Sequence, residues 1–541
     1  MYPTHEVLNQ SKPLLDYNLF TSDALLQKVL KHFQAEWIFE QARSYGKLAG
    51  SAENIHLGFL ANENPPKLKT FDRFGNRIDQ VEFHPAWHTL MQTAVEYGFH
   101  CSPWKAPQEG AHLARAVLYY MANQVEAGHC CPITMTYAAL PALQQQPEIA
   151  AEWKDKIQSL HYDPRFLPVS EKKGALFGMA MTEKQGGSDV RANTTLASPI
   201  KKNGPGEEYL ITGHKWFCSA PMCDAFLILA QAPTGLSCFL VPRWMPDGKQ
   251  NRFLIQRLKD KCGNRSNASS EVEFMDTWGR MVGEEGRGVA TIINMVNFTR
   301  LDCILGSAGS IRQAVVQAIH HCQYRSAFGK KLIDQPLMKN VLADLSIESE
   351  AATLLAMRLA ATQDKEEKAL SRIATAIGKY WVCKRAPVVV FEALECLGGA
   401  GYVEESIMPR LYRDAPLNSI WEGSGNVNCL DVLRAFTKEP DTKEALLSEI
   451  LSATGSNSHF DQYARKLTDD LRKFKNDPEQ ARFQVELMAL ALQGSLLLRY
   501  GNPTLAEAFC VSRLKGEWGR VLGTLPKNVN KDQIFEHTNW S

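Results

Sequence analysis

Between residues 23 and 50, DALLQKVLKHFQAEWIFEQARSYGKLAG spaces apolar side chains three and four apart and stops at glycine. That is the pattern of amphipathic helix with a terminating residue. EGAHLARAVLYYMANQVEAGH, residues 109–129, repeats it. The stretch between them, NENPPKLKTFDRFGNRID, is turn-rich and reads as a surface connection. Near residue 174 the period changes. GALFGMAMTE, EYLITGHKWFCS, AFLILAQA, LSCFLVPR, FLIQRL and SEVEFMD are short runs of β-branched and aromatic residues, separated by turns such as KNGPGEE and MPDGKQN. After GEEGRG the helical period returns. VATIINMVNFTRLDCILGSAGSIRQAVVQAIHHCQYRSAF predicts one or two long helices, with two more at 335–363 and 366–397. Four further amphipathic stretches follow residue 438. The expected fold class is α+β: an N-terminal helical domain (1–173), a central antiparallel β domain (174–284), a helical bundle (285–437) and an extra C-terminal helical domain (438–541).

Composition narrows this only a little. The chain has 541 residues, 45% apolar and 22% charged, too long for a single core but otherwise of ordinary globular character. Sixty lysines and arginines face 59 acids, so no global field draws the chain to nucleic acid or membrane. Thirteen scattered cysteines without a CxxC pair argue against a disulfide framework and a zinc site, so no metal is expected. The N-terminal stretch lacks a basic start followed by an apolar run, and no run reaches the roughly 18 apolar residues of a membrane span. A cytoplasmic location follows as an expectation.

Five clusters could carry chemistry. MTEKQGGSDV (181–190) offers the hydroxyls of Thr182 and Ser188, with Gly186 and Gly187 opening the backbone to a ligand, or it is a plain turn after a strand. GHKWFCSAP (213–221) sets a tryptophan in a strand, as core or as a wall against an aromatic ring system. YRSAFGKKLIDQPL (324–337) places Arg325 after a helix, suited to a diphosphate or to a basic helix end. LECLGGAGYVEES (394–406) gathers Gly398, Gly399 and Gly401 into a tight turn. LNSIWEGSGNVNCLDVLR (417–434) sets Glu422 between Trp421 and Gly423, before a helix that Ser424, Gly425 and Asn426 can cap. A carboxylate so flanked would be pushed up by desolvation, as a general base requires; alternatively it favours the helix N-terminus.

Together and in this order, the clusters resemble the acyl-CoA dehydrogenase family over residues 50–436. MTEKQGGSDV, HKWF, RLKDKCGNRSNASSEVEF, PRLYRDAP and SIWEGSGN look most like its bacterial adaptive-response branch, which the chain length and C-terminal extension also fit. The resemblance implies an acyl-CoA dehydrogenase-like fold assembled as a homotetramer, a dimer of dimers, with FAD as cofactor. It implies Glu422 as the base in α,β-dehydrogenation of a small acyl-CoA-like substrate, an activity that can be weak in this branch. Met181, Thr182 and Ser188 would line the flavin and its diphosphate. Phe217, Cys218 and Ser219 would border its ring, with Cys218 replacing a hydroxyl at a cost of about 1 kcal/mol. Arg325, Phe328 and Gln335 would contact the FAD of a neighbouring subunit, and Gly398 and Gly399 its adenine end. Ile420, Trp421, Gly423, Ser424, Gly425 and Asn426 would close the pocket.

Arg300 in VNFTR would face the substrate, but Asn297 stands where the family often has an aspartate, so the coenzyme A side loses a charged acceptor. The branch also implies double-stranded DNA binding in the response to alkylation. The extension is electrically balanced, with 14 lysines and arginines against 14 acids. Its local cationic candidates are Arg465, Lys466, Arg472, Lys473, Lys475, Arg513, Lys515 and Arg520, which also suit solvated helix faces. The competing reading is a catabolic acyl-CoA dehydrogenase without a DNA role. A nitroalkane-oxidase-like enzyme is disfavoured, because that chemistry uses aspartate where this chain has Glu422.

Overall fold

The computed structural model describes residues 4–537; the first three residues of the N-terminal stretch and the last four of the C-terminal tail lie outside it. The chain divides into two compact units whose segments alternate along the sequence. One unit takes Glu53–Ala111 and Glu126–Asp302. The other takes the segment up to Ala52, then His112–Val125, then Cys303 onward.

The first unit is built on a mixed seven-stranded sheet. Two strands outside it, β1 (Lys67–Phe71) and β2 (Arg77–Glu82), form an antiparallel ribbon within the stretch that reads as a connection. The FGN turn closes this ribbon, where Gly75 sits at φ +84° and Asp72 accepts the backbone N–H groups of Phe74 and Asn76. Exposed strands this short carry too little apolar periodicity to announce themselves. Arg77 fastens the ribbon by donating to the Ile255 carbonyl at 2.7 Å.

The main sheet comprises β3 (Phe177–Ala180), β4 (Leu196–Pro199), β5 (Glu208–Ser219), β6 (Ala225–Ala232), β7 (Gly235–Pro242), β8 (Phe253–Leu258) and β9 (Ser269–Val282). β5 and β9 form its long antiparallel spine, from Glu208 opposite Arg280 to Ser219 opposite Ser269. Only the pairings of β6 with β3 and β4 run parallel. β6 is buried along nearly its whole length, which explains its unbroken AFLILA run.

The second unit is helical. Its long elements are α1 (Gly288–Tyr324), α2 (Pro336–Asp364), α3 (Lys368–Cys396) and α4 (Gly425–Lys438). The first turns of α1, to Asp302, belong to the sheet-containing unit. Contrary to the expectation from apolar runs, α1 is long and apolar enough to cross a membrane, yet 67% of its most apolar window is buried inside the protein. It is the core helix of a bundle, apolar nearly all round.

The extension adds α5 (Pro440–Leu451), α6 (Ser458–Arg472), α7 (Ala481–Tyr500) and α8 (Pro503–Phe509). It is joined to the bundle through buried ion pairs. Arg358 of α2 grips Glu449 of α5 with two bonds of 2.9 and 2.8 Å, and Arg513 meets Asp344 and Glu348 of α2. Trp381 of α3 donates to Gln493 of α7 at 2.8 Å.

Candidate active site

Glu422 sits in the link between a short 3-10 turn, Leu417–Ser419, and α4. Its backbone is left-handed, φ +59°, and Gly423 follows at φ +92°. A glutamate held there costs about 1–3 kcal/mol, so the surroundings must fix it. Three polar side chains do so. Lys379, from the middle of α3, donates to the carbonyls of Asn418 at 2.5 Å, Trp421 at 2.8 Å and Gly423 at 3.2 Å. Asn418 accepts the Trp421 indole N–H at 2.9 Å and donates to the Ser307 hydroxyl of α1 at 3.2 Å. Asn428, on the first turns of α4, donates to the carbonyls of Gly423 at 2.7 Å and Ser424 at 3.1 Å. Glu422 itself is buried, at 9% exposure.

Ser424 takes the N-cap position of α4, but its hydroxyl makes no capping bond. The capping role expected of Ser424 and its neighbours is corrected on that point: Asn428 reaches back to tie down the turn. Gly425 lies tight on Tyr380, where a Cβ would come within 3.3 Å of the ring. Ile420 and Asn426 are exposed and Trp421 is half-buried.

The sheet unit presents a different set. β5 carries a bulge between Lys215 and Cys218. Such a bulge re-aims the side chains around it. Phe217 is left 49% exposed and Ser219 half-buried, its hydroxyl 3.2 Å from that of Ser269. Cys218 is fully buried, and burial pushes its thiol up to about 12. The expectation that the Cys218 side chain borders a ring is therefore corrected: its side chain points into the core, while Phe217 and Ser219 on either side of it stay accessible.

Thr182 is half-buried and Ser188 exposed. Gly187 packs so closely on Thr182 that a Cβ would lie 2.9 Å from its hydroxyl. Beneath this loop lies a fully buried ion pair. Lys215 donates to Glu183 and to the Leu229 carbonyl, each at 2.7 Å. Glu183 also accepts the Thr194 N–H at 2.7 Å and the Thr195 N–H at 3.3 Å. Burial lowers Lys215 to about 8; burial alone would raise Glu183, but the adjacent ammonium outweighs it and the carboxyl lies below its usual range. Met181 joins this frame through its carbonyl, which accepts from Asn193 at 2.8 Å.

The remaining candidates lie on other elements. Phe328, 99% exposed at φ +51°, forms the tip of a small hairpin. Gln335 donates across that hairpin to the Ala327 carbonyl at 2.7 Å, and Arg325 donates to the Asn9 carbonyl. Gly398 has φ +59° with open space around it, as does Gly399. Arg300 is buried.

Among the DNA candidates, Arg513 is contradicted: it is buried and paired with Asp344 and Glu348. A guanidinium there holds the protein together and cannot reach a phosphate. Lys515 pairs with Glu517 at 2.7 Å and Arg472 with Asp469 at 3.4 Å. Arg465, Lys466, Arg472, Lys473, Lys475, Lys515 and Arg520 are exposed. No group of three His, Cys, Asp or Glu among the described residues is arranged to hold a metal.

Sequence reasoning missed Lys379, Asn418, Asn428 and the Glu183–Lys215 pair. The available signal was a charged residue inside an apolar helical run, IATAIGKYWVC, and another inside a buried strand.

Comparison with known proteins places these features. Residues 9–164 match the adaptive response protein AidB N-terminal domain, 178–277 the acyl-CoA dehydrogenase middle domain and 286–437 the acyl-CoA dehydrogenase C-terminal domain. The chain is 45% identical to AidB of Escherichia coli (strain K12), over 99% of both chains. It superposes on Caenorhabditis elegans ACDH-11 in complex with C11-CoA with a TM-score of 0.87 at 26% identity, covering 95% of this chain and 94% of that one. A Bacillus anthracis acyl-CoA dehydrogenase complexed with FAD shares the fold, with a TM-score of 0.66 at 17% identity, over 94% and 90% of the two chains.

Proposed function

From the premise that this chain belongs to the acyl-CoA dehydrogenase family, in its AidB branch, we propose a FAD-dependent oxidoreductase that removes hydrogen from the α and β carbons of an acyl-CoA-type thioester. The observation that carries this reading is the Glu422 turn: a buried carboxylate in a strained conformation, held at three points by Lys379, Asn418 and Asn428. Strain of this kind persists only where the surroundings over-determine it, and it clusters at working sites.

The donor set fits a flavin. The half-exposed ring of Phe217 supplies a flat apolar wall, the Ser219 hydroxyl lies on the same strand face, and the Thr182–Gly187 contact compacts the loop expected to hold the diphosphate. FAD, when bound, supplies a hydride acceptor. Glu422 takes the α-proton of the thioester, and the positive φ at Glu422 and Gly423 sets the direction from which it does so. Burial keeps bulk water from competing for that proton. C11-CoA bound to the C. elegans relative supports a coenzyme A thioester as substrate, while Asn297 leaves one position on the coenzyme side without a charge.

Anaerobic titration of the purified yellow protein with a panel of acyl-CoAs tests the reading through bleaching of the flavin. Bleaching in the wild type that is lost in Glu422→Gln supports it. Full-rate bleaching by Glu422→Gln removes the assigned base.

Assembly as a homotetramer belongs to the same proposal. Tyr324, Phe328, Leu337, Tyr402 and Val403 are large apolar side chains left exposed, and a second copy is the natural cover for them. A second reading, binding of double-stranded DNA, is favoured by the exposed cations Arg465, Lys466, Arg472, Lys473 and Lys475 within eleven residues. Duplex affinity that falls with salt supports it; the absence of salt-sensitive binding leaves the catabolic enzyme as the better description.

A further inference from the structure

We propose that Lys379 is a positioning residue for the base: its ammonium clamps the turn on both sides of Glu422 and holds that residue in its left-handed conformation. The inference rests on the assignment of Glu422 made above.

An ammonium has three N–H donors and no acceptor. Lys379 uses all three on main-chain carbonyls, those of Asn418, Trp421 and Gly423. The Trp421 carbonyl lies in the peptide that enters Glu422 and the Gly423 carbonyl in the Gly423–Ser424 peptide beyond it, so one side chain ties down the turn on both sides of the glutamate. Lys379 is 1% exposed, and a buried ammonium is tolerated only where its donors are used.

The surroundings allow little adjustment. Gly378, the preceding residue, abuts Leu359 and Ile304, and a Cβ there would come within 3.0 and 3.2 Å of their methyl carbons. α3 is thus locked in place, and Lys379 acts from a fixed platform. The Gly423 carbonyl receives both Lys379 and Asn428, so the clamp and the start of α4 share an anchor. Uncharged packing alone does not explain a cation here: a methionine of similar length would fill the space and leave three carbonyls to find other partners.

The test uses the full-length holoprotein with two variants, Lys379→Met and Lys379→Arg. Hydrogen–deuterium exchange of peptides spanning 417–428 reads the turn, with the Glu208–Ser219 strand as internal control. For Lys379→Met the expected result is at least tenfold faster exchange in 417–428 and none in the control. The flavin bleaching rate at saturating acyl-CoA should fall by 10- to 100-fold while KM stays within about threefold. Lys379→Arg, which keeps charge and donors, should recover part of both. Wild-type exchange in 417–428 of Lys379→Met overturns the clamp. Faster exchange paired with an unchanged bleaching rate overturns it as well, as does a Met variant that differs in KM alone. Failure of the Glu422 assignment shows differently: the wild type itself is not bleached, or Glu422→Gln bleaches at full rate, while the exchange data still decide whether Lys379 holds the turn.

Discussion

Replacing Lys215 by methionine should destabilise the sheet unit severely, and the structure says by how much. Both side chains of the Lys215–Glu183 pair are at 0% exposure, with the ammonium nitrogen 2.7 Å from the carboxylate. At an effective dielectric of about 20 the Coulomb attraction at this distance is about 6 kcal/mol, set against a desolvation cost of several kcal/mol for each ion. The pair therefore nets little, but breaking it leaves Glu183 as a buried charge without its counter-ion, a loss of about 3–5 kcal/mol. The Leu229 carbonyl also loses its donor, adding about 1 kcal/mol or more. At roughly 2–4 °C per kcal/mol for a unit of this size, scanning calorimetry of Lys215→Met should show a midpoint lowered by on the order of 10 °C. The double variant Glu183→Gln/Lys215→Met should lose less than the two single variants summed, because it leaves no lone ion behind. A Lys215→Met midpoint within 2 °C of wild type, or strict additivity in the cycle, would refute the reasoning.

Glu422→Gln should keep its bound flavin and its midpoint while the bleaching rate drops by about 10²–10⁴-fold, measured by stopped-flow absorbance. Glu350 should make stability fall as pH rises. Burial raises its carboxyl to about 7, so the folded protein holds a proton that the unfolded chain releases between the ordinary carboxylate range and that value. The contribution is fully present below about pH 4.5 and is lost by about pH 7, amounting to roughly 3 kcal/mol at most; thermal melts from pH 5 to 8 should show the decline, and Glu350→Gln should flatten it. Arg358→Met should loosen the C-terminal extension by about 1–3 kcal/mol, the two lost bonds to Glu449 being partly offset by Arg499, which stays beside that carboxylate, read as faster limited proteolysis in 439–500. Converting Lys466 and Lys473 to alanine should reduce the salt slope of duplex binding by about two, while Arg513→Met should lower the melting midpoint.

Much of the architecture was legible because periodicity reports burial directly. The switch from helical spacing to short β-branched runs near residue 174 marks the sheet, and the turn bearing Glu422 announces itself by Gly423 and Gly425 before a helical run. Features decided by tertiary contact were not legible. The β1–β2 ribbon has alternating burial too weak to distinguish from loop. Cys218 reads as a ring neighbour by position, but a bulge two residues earlier turns it inward. Arg513 reads as a free cation because nothing local reveals Asp344 and Glu348, more than 160 residues away. Lys379 is likewise a helix residue whose partners lie about 40 positions later.

The interleaving of the two units has a consequence for biosynthesis. The segment up to Ala52 shares its unit with the short stretch His112–Val125 and with everything from Cys303, so the bulk of that unit begins about 250 positions further along. At ribosomal speeds of about 5–20 residues per second, that segment waits roughly 12–50 s after synthesis before its partners emerge, with Leu26, Val29 and Leu30 uncovered meanwhile. Nascent chains should therefore engage a holdase early and be released late, and a gene shortened before codon 303 should yield aggregate in place of a folded half.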